Sequence, residues 1–278
     1  MLRFAILLCS LILCCQSLAA RYNVIYHSYN EHGEIYVADK DRDIRCLFFQ
    51  HPDYARSQQT CISINQPNKI FHDYQKGLLA SLYVNPKPER ILVIGLGGGA
   101  LINTLMTLLP NAKIDVVDLN PAIEKVAKDF FNFRPNNNTN IVIKDGYEFV
   151  KSCEQKYNLI ILDVFDKDNI PAQFVTSDFV DMTKSILTND GLIAVNSYKR
   201  YSRNKLECKL YKERFANYAT FIVGGNRLFF ASMGANLANM ELIMSNAQNI
   251  NPALQEYFDK PEMLLRKFVK AAKSGKDN

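Results

Sequence analysis

The sequence predicts an α/β protein built on a doubly wound, mainly parallel sheet, and three observations support this fold class. Between residues 86 and 235, short apolar runs of strand length alternate with amphipathic segments of helical length, which is typical of a parallel sheet. The first apolar run, residues 91–94, ends in the glycine-rich turn GLGGG at residues 95–99. Three later predicted strands each end at an aspartate, namely Asp118, Asp145 and Asp163.

The elements follow in a regular order. Leucines recur every three or four residues over 101–109, which predicts a helix, and residues 114–117 form the next strand. Further helices are predicted over 121–131, 147–152, 177–187 and 205–218. Further strands are predicted over 141–143, 159–162 and 191–196, followed by an antiparallel pair over 221–223 and 227–231. Ligands of such sheets bind outside the carboxyl ends of the strands, so Asp118, Asp145 and Asp163 are expected in one site, with Asp166 close by.

Smaller regions flank this alternation. Four β-rich runs separated by turn residues occupy 24–26, 33–37, 44–49 and 60–64, and residues 69–84 have helical spacing. An amphipathic tail begins at Asn251; we expect its apolar face to pack on the protein, and a membrane-surface helix is the alternative. The predicted organisation is a signal peptide at 1–20, a small β region plus helix at 21–85, a Rossmann-like catalytic domain at 86–235 and a helical tail at 236–278.

The first 20 residues have the pattern of a secretory signal peptide. Arg3 precedes an apolar run over 4–15, and small residues follow at Ser17, Ala19 and Ala20. Because the run is short for a membrane span, we expect cleavage, a periplasmic or secreted chain and no stable membrane span afterwards. A retained N-terminal anchor is the alternative.

Four cysteines remain after the predicted cleavage. Cys46 and Cys61 flank a predicted hairpin, which could place them on adjacent strands, and Cys153 with Cys208 is the leftover pair. Two disulfides and four buried thiols are both compatible with this pattern. The chain has no CxxC motif and its four histidines form no ligand cluster, so we expect no metal.

The net charge and the spacing of motifs narrow the class of ligand that this chain is expected to bind. A formal charge of +5 is only mildly basic and does not indicate a dedicated nucleic-acid binder. Glycines let a backbone approach a ligand closely, and an acid about 20 positions further on can accept hydrogen bonds from ribose hydroxyls. The turn with Asp118 therefore favours a nucleoside ligand, although strand-to-helix turns also use glycine for purely steric reasons.

Six segments resemble the spermidine synthase (polyamine aminopropyltransferase) family, in its divergent spermidine synthase-like branch. The resemblance covers roughly residues 22–231 and also extends to class I S-adenosylmethionine-dependent methyltransferases, whose fold it implies. The segments are FHDYQKGLLA (71–80), ILVIGLGGG (91–99), VVDLNP (116–121), IKDGYEFV (143–150), YNLIILDVFD with IPAQFVTSDF (157–179) and NRLFFAS (226–232).

The resemblance implies a role for each matching residue. The co-substrate would be decarboxylated S-adenosylmethionine or S-adenosylmethionine, and the acceptor a small diamine or polyamine such as putrescine. Asp163 would hold and deprotonate the attacking amine, and Asp166 would fix the amine's other end, with Tyr74 in the same substrate site. On the donor side, Asp118 would bind the ribose hydroxyls, and Asp145 with Gly146 would meet the adenine. Gly95 and Gly97 would line the sulfonium end, and Gln75 would help to position the donor.

The chain also departs from the family pattern. Gly98 stands where the family usually has an acid that contacts the donor's amino end, Lys167 follows Asp166, and tryptophan is absent. We expect an aminopropyltransferase, with a homodimer as a further possibility. The alternatives are a methyltransferase using intact S-adenosylmethionine, which Gly98 favours, and a non-catalytic exported module that binds polyamine or nucleoside. Asp163 and Asp166 could also cap a helix or face solvent, and Asp145-Gly146 could be only a turn.

Overall fold

The computed structural model describes residues 22–55, 58–166, 170–198 and 204–274. A four-stranded antiparallel sheet precedes a seven-stranded mainly parallel sheet, and two helices follow it. The predicted signal peptide and Lys167 lie outside the described residues. Within the described ranges, each helix is too short or too polar to cross a membrane.

The N-terminal sheet is a meander with strand order β1-β2-β3-β4, which confirms the predicted β region. Its strands are β1 (Asn23–Asn30), β2 (Gly33–Lys40), β3 (Ile44–Phe48) and β4 (Thr60–Ser63). Cys46 and Cys61 lie directly opposite each other on β3 and β4 and form a disulfide. Among the described cysteines, Cys153 and Cys208 do not form the second bridge.

The prediction of a single helix over residues 69–84 is wrong. The structure has two short helices there, α1 (Asp73–Leu78) and α2 (Ser81–Val84). Ile70 donates its backbone N–H to the carbonyl of Tyr257, so the chain enters α1 from an extended segment. The junction at Leu79 and Ala80 uses hydrogen bonds to the third preceding residue, a tighter winding than that of an α-helix. Helical spacing alone does not distinguish one helix from two that share a buried face.

The central sheet has the strand order β7-β6-β5-β8-β9-β11-β10 and is parallel except at β11. This confirms the predicted doubly wound, mainly parallel fold. The chain builds outward from β5 in one direction and then returns to start β8 on the other side, so the order reverses between β5 and β8. Its strands are β5 (Arg90–Ile94), β6 (Lys113–Asp118), β7 (Thr139–Ile143), β8 (Tyr157–Leu162), β9 (Leu187–Tyr198), β10 (Asn217–Val223) and β11 (Asn226–Ser232).

Helices alternate with these strands. They are α3 (Ala100–Leu108), α4 (Pro121–Phe130), α5 (Gly146–Lys151), α6 (Ser177–Ser185) and α7 (Asn204–Arg214). The predicted extension of the last helix to residue 218 is wrong, because Tyr218 belongs to β10 and pairs with Ala231 on β11. Cross-strand pairing in the terminal hairpin outweighs the helical pattern there.

The C-terminal tail forms α8 (Met240–Leu254) and α9 (Pro261–Ser274). Phe268 on α9 is fully buried and contacts the rings of Tyr83, Phe221 and Phe230. This confirms that the tail packs its apolar face on the protein. The same apolar core includes Val37 of the N-terminal sheet, so one continuous core joins the three regions of the chain.

Candidate ligand site

A cavity of about 500 Å³ lies at the carboxyl ends of β5, β6 and β8, beneath the N-terminal sheet. This is the edge at which the strand order reverses, where ligands of open α/β sheets bind. The structure brings all the predicted site residues to its walls. They are Tyr74, Gln75, Gly95, Gly97, Asp118, Asp145, Gly146, Asp163 and Asp166.

The glycine-rich turn after β5 requires its glycines. Gly95, Gly97 and Gly99 have φ values of 103°, 52° and 77°, in the left-handed region that favours glycine. A Cβ on Gly95 would lie 2.1 Å from the carbonyl oxygen of Asp163. The steric reason for glycine therefore holds at Gly95, and the same turn also forms a wall of the cavity.

Asp118 is held by the glycine-rich turn. Its carboxylate accepts hydrogen bonds from the backbone N–H groups of Leu96, at 2.9 Å, and Asn120, at 3.0 Å. Burial raises the pKa of Asp118, and these N–H donors oppose that shift. The backbone N–H groups of Gly97 and Leu119 also lower this pKa, so four N–H donors of the chain surround the carboxylate.

Asp145 has a structural role as well as a place in the cavity. One of its carboxylate oxygens caps α5 by accepting from the backbone N–H groups of Tyr147, at 2.8 Å, and Glu148, at 3.1 Å. The other oxygen accepts from the side-chain amide of Gln173 at 2.9 Å. Gln173 also lines the cavity and is a site residue that the sequence analysis missed.

Asp163 is a partly buried carboxylate in the cavity wall, directly after β8. Burial raises its pKa to about 6, and hydrogen bonds from Asn196 and Tyr74 oppose the rise. The Asn196 amide donates to Asp163 Oδ1 at 2.8 Å. The Tyr74 hydroxyl also lies 3.2 Å from the carbonyl oxygen of Gln59, so its one proton serves either acceptor. Burial, and then the nearby Asp163 charge, raises the pKa of Tyr74.

Asp166 and Gln75 occupy different environments. Asp166 is solvent-exposed at the cavity wall. Gln75 is 4% exposed, and its buried side-chain oxygen accepts no hydrogen bond from any described residue. A buried acceptor without a donor is costly, so this oxygen fits a ligand that carries an N–H or O–H group.

The described cavity lining is strongly acidic although the whole chain is basic. No lysine or arginine is among the described lining residues, and His32 is the single histidine there. Clefts lined by one sign of charge concentrate ligands of the opposite sign. The six acidic lining residues are Glu31, Glu34, Asp118, Asp145, Asp163 and Asp166.

The N-terminal sheet supplies a wall that the sequence analysis did not predict. Thr60 is buried, and its hydroxyl accepts the backbone N–H of Gly98 at 3.1 Å. The amide of Asn30, before the turn at residues 31–32, donates to Asn120 Oδ1 at 2.7 Å. No local pattern identifies Thr60 or Asn30, because each meets a partner from a distant part of the chain.

Gly98 differs from the family pattern for a visible packing reason. A Cβ at this position would lie 2.5 Å from Thr60 Cγ2 and 3.1 Å from Phe131 Cγ. Thr60 therefore occupies the space into which an acidic side chain on residue 98 would extend. Among the described residues, no group of three or more His, Cys, Asp or Glu side chains could hold a metal ion.

The strand order, the glycine-rich turn after β5 and the acid at the end of β6 define an S-adenosylmethionine-dependent methyltransferase-like fold. The family model described as spermine/spermidine synthase domain matches residues 74–224. A polyamine aminopropyltransferase from Vibrio vulnificus is 31% identical over 241 residues, which cover 84% of this chain and 80% of that protein. The chain therefore belongs to the spermine/spermidine synthase family.

Solved structures confirm the fold. A spermidine synthase in complex with the transition state analogue AdoDATO has a TM-score of 0.69 at 15% identity, over 88% of this chain and 85% of that one. Human methyltransferase-like protein 13 in complex with SAH has a TM-score of 0.59 at 22% identity, over 66% of this chain and 93% of that one. One fold thus carries both protein classes that the resemblance implies.

Proposed function

We propose that this chain is a spermidine synthase-like aminopropyltransferase, which moves an aminopropyl group from decarboxylated S-adenosylmethionine to a diamine such as putrescine. The observation that carries the proposal is the position of Asp163, a partly buried carboxylate with a pKa of about 6 in an acidic cavity, beside the glycine-rich turn. Family membership and the aminopropyltransferase relative support the same reaction class.

The acidic lining supplies the first step, which is capture of a dication. Carboxylates attract both ammonium groups of a diamine, and the absence of lysine and arginine from the described lining leaves that attraction unopposed. Asp163 would bind the reacting amine, and the exposed Asp166 would bind the distal ammonium group.

Asp163 then acts as the general base. An ammonium group cannot attack carbon until it loses a proton, and a carboxylate whose pKa is raised to about 6 accepts a proton more readily than an ordinary one. As the nitrogen–carbon bond forms, the bond between that carbon and the sulfonium sulfur breaks and its electron pair remains on sulfur. The proton passes through Asp163 to solvent.

The remaining wall residues bind the donor. Asp118 would accept hydrogen bonds from the ribose hydroxyls beside the backbone N–H groups that hold its carboxylate. Asp145, capping α5, meets the adenine amino group beside Gly146, and the unsatisfied oxygen of Gln75 accepts from the donor. Gly95 and Gly97 leave room for the sulfonium end.

Calorimetric titration of the chain from Arg21 onward with decarboxylated and intact S-adenosylmethionine tests this function. Preference for the decarboxylated donor, followed by putrescine-dependent turnover that Asp163→Asn strongly lowers, is the expected result. Because Asp163→Asn keeps the shape of the side chain, unchanged donor binding by that variant separates loss of the base from loss of the fold.

One specific observation favours a second function. Thr60 fills the space beside Gly98, so the described wall has no acid at that position to attract an aminopropyl ammonium or to repel the carboxylate of intact S-adenosylmethionine. Tighter binding of the intact donor would support a methyltransferase. If a folded chain bound neither donor, both enzyme proposals would fail and a non-catalytic binding module would remain.

We also propose that the chain is exported, with residues 1–20 as its signal peptide. The Cys46–Cys61 disulfide supports this, because structural disulfides persist in oxidising compartments. Mass spectrometry of the protein recovered from periplasmic and secreted fractions should find a chain that begins at Arg21. Recovery from the cytoplasm with Met1 retained would contradict the proposal.

A further inference from the structure

Two asparagine side chains connect the terminal hairpin to Asp163. Asn196 on β9 is 1% exposed, and its amide nitrogen lies 2.8 Å from Asp163 Oδ1. Asn226, the first residue of β11, places its own amide nitrogen 2.8 Å from Asn196 Oδ1. Neither asparagine is among the residues that line the cavity. The hydrogen-bonded chain from Asn226 through Asn196 to Asp163 therefore reaches the cavity only at Asp163, and the two asparagines lie behind the cavity wall.

Chemistry fixes the direction of both hydrogen bonds. An ionised carboxylate only accepts, so Asn196 must turn its NH2 group toward Asp163. The Asn196 side-chain oxygen then faces Asn226, and it accepts a hydrogen bond only if Asn226 turns its NH2 group toward it. Rotation of the Asn196 amide by 180° would bring its oxygen against the carboxylate, and the Asn226 donor opposes that rotation.

We propose that Asn226 is a positioning residue for the reaction, which acts through Asn196 by keeping a hydrogen-bond donor directed at Asp163. The inference rests on the proposed function, since it assigns Asp163 the role of base. The two strands make the arrangement possible: Asn226 pairs with Tyr198 and Leu228 with Asn196 in the β9–β11 register, so both asparagines lie near the carboxyl end of β9.

Loss of the Asn226 donor has a defined electrostatic consequence. The Asn196 hydrogen bond favours the ionised form of Asp163, and a less firmly oriented amide favours it less, so the pKa of Asp163 rises further. Other titratable groups of the site remain in place when Asn226 is changed, so the shift reports the asparagine pair. They are Tyr74 on α1, Tyr198 on β9, Asp118 on β6, Asp145 before α5, Asp166 after β8, and Glu31, His32 and Glu34 around the turn between β1 and β2.

The test compares Asn226→Ala with Asn226→Asp. The aspartate has nearly the same shape but accepts only, so it draws the Asn196 NH2 group away from Asp163. Its negative charge also raises the Asp163 pKa, so this variant should have the larger effect, and Asn226→Ala isolates the loss of the donor. We expect the acid limb of the kcat/KM profile to move to higher pH by about 0.5–1 unit in the alanine variant and by more in the aspartate variant. Asn217→Ala, at the other end of the same hairpin, is the matched control and should leave the profile unchanged.

A second measurement keeps this inference separate from the proposed function. Carbon-13 NMR titration of the Asp163 carboxyl, assigned with Asp163→Asn, reports its pKa whether or not the chain transfers aminopropyl groups. A wild-type pKa in both folded Asn226 variants, or an equal shift in Asn217→Ala, would overturn the positioning role. A shift confined to the Asn226 variants supports that role even if no diamine is a substrate.

Discussion

Gly95 and Asp163 are in direct backbone contact across the point where the strand order reverses. The N–H of Asp163 donates to the carbonyl of Ile94 at 2.9 Å, and a Cβ on Gly95 would lie 2.1 Å from the Asp163 carbonyl oxygen. The turn that approaches the donor and the aspartate assigned as base thus form one continuous wall. A side chain added at Gly95 would therefore displace the Asp163 backbone.

Gly95→Ala should destabilise the protein and disrupt the site together. The new methyl group collides with a backbone atom that cannot rotate away, and the φ of 103° adds strain, so we expect a loss of about 2–4 kcal/mol in the free energy of unfolding. Urea denaturation measures the loss. Gly225→Ala is the control, because a Cβ there meets no described atom within 4 Å, and an equal loss in both variants would contradict the steric argument.

Activity should depend on the ionisation of Asp163. Its pKa of about 6 lies above the usual 3.8, and only the ionised form accepts a proton, so kcat/KM should rise with pH through about 6 and then level off. Asp163→Asn should lower kcat by about 10²–10⁴-fold and remove that limb. A pH–rate profile with the same limb in the residual activity of Asp163→Asn would assign the titration to another group.

Glu207 should make the fold less stable as the pH rises. It is 1% exposed, the Ser197 hydroxyl donates a hydrogen bond to its carboxylate, and burial raises its pKa from 4.5 to about 7. Between those two values the native state holds a proton that the unfolded state releases, so stability falls as pH rises, by about 3 kcal/mol in total.

Glu207→Gln should therefore be more stable than the wild type at pH 8 and equal to it near pH 4. Denaturation at both pH values measures the difference. Equal stability of the two proteins at pH 8 would mean that the carboxylate is not held in a desolvated environment.

The Cys46–Cys61 disulfide should support both stability and ligand binding. It closes a loop with a sequence separation of 15, for which chain entropy gives about 3 kcal/mol. Cys61 follows Thr60, whose hydroxyl accepts the Gly98 N–H, so loss of the bridge loosens that wall of the cavity. The double variant Cys46→Ala/Cys61→Ala should lose stability and bind either donor more weakly.

Cys153→Ala is the control for that experiment, because Cys153 is not in a disulfide. Its melting temperature in thermal denaturation and its donor affinity in titration should be close to those of the wild type. If the double variant lost stability but bound the donor with unchanged affinity, β4 would hold its position without the disulfide.

Patterns of neighbouring residues predict the glycines and aspartates that the site takes from the ends of its strands. Gly95 and Gly97 follow a strand of apolar residues, and Asp118, Asp145 and Asp163 follow later ones, so parallel pairing alone brings them to one edge. The hairpin that carries Cys46 and Cys61 was also visible as two β-rich runs, although the sequence left their bonding open. Helical spacing continues past a real boundary at Leu79 and at Tyr218, so the helices predicted there are wrong.

The sequence by itself determined the order of strands and helices, the glycine-rich turn and the aspartates at the strand ends, because each depends on residues close together in the chain. Tertiary structure decided the pKa of Asp163 and the space available beside the glycine-rich turn. The pKa of Asp163 depends on burial and on Asn196, 33 positions away, and the space beside Gly98 is filled by Thr60, 38 positions away. Desolvation and steric exclusion arise only when distant segments pack together, so no local pattern records them.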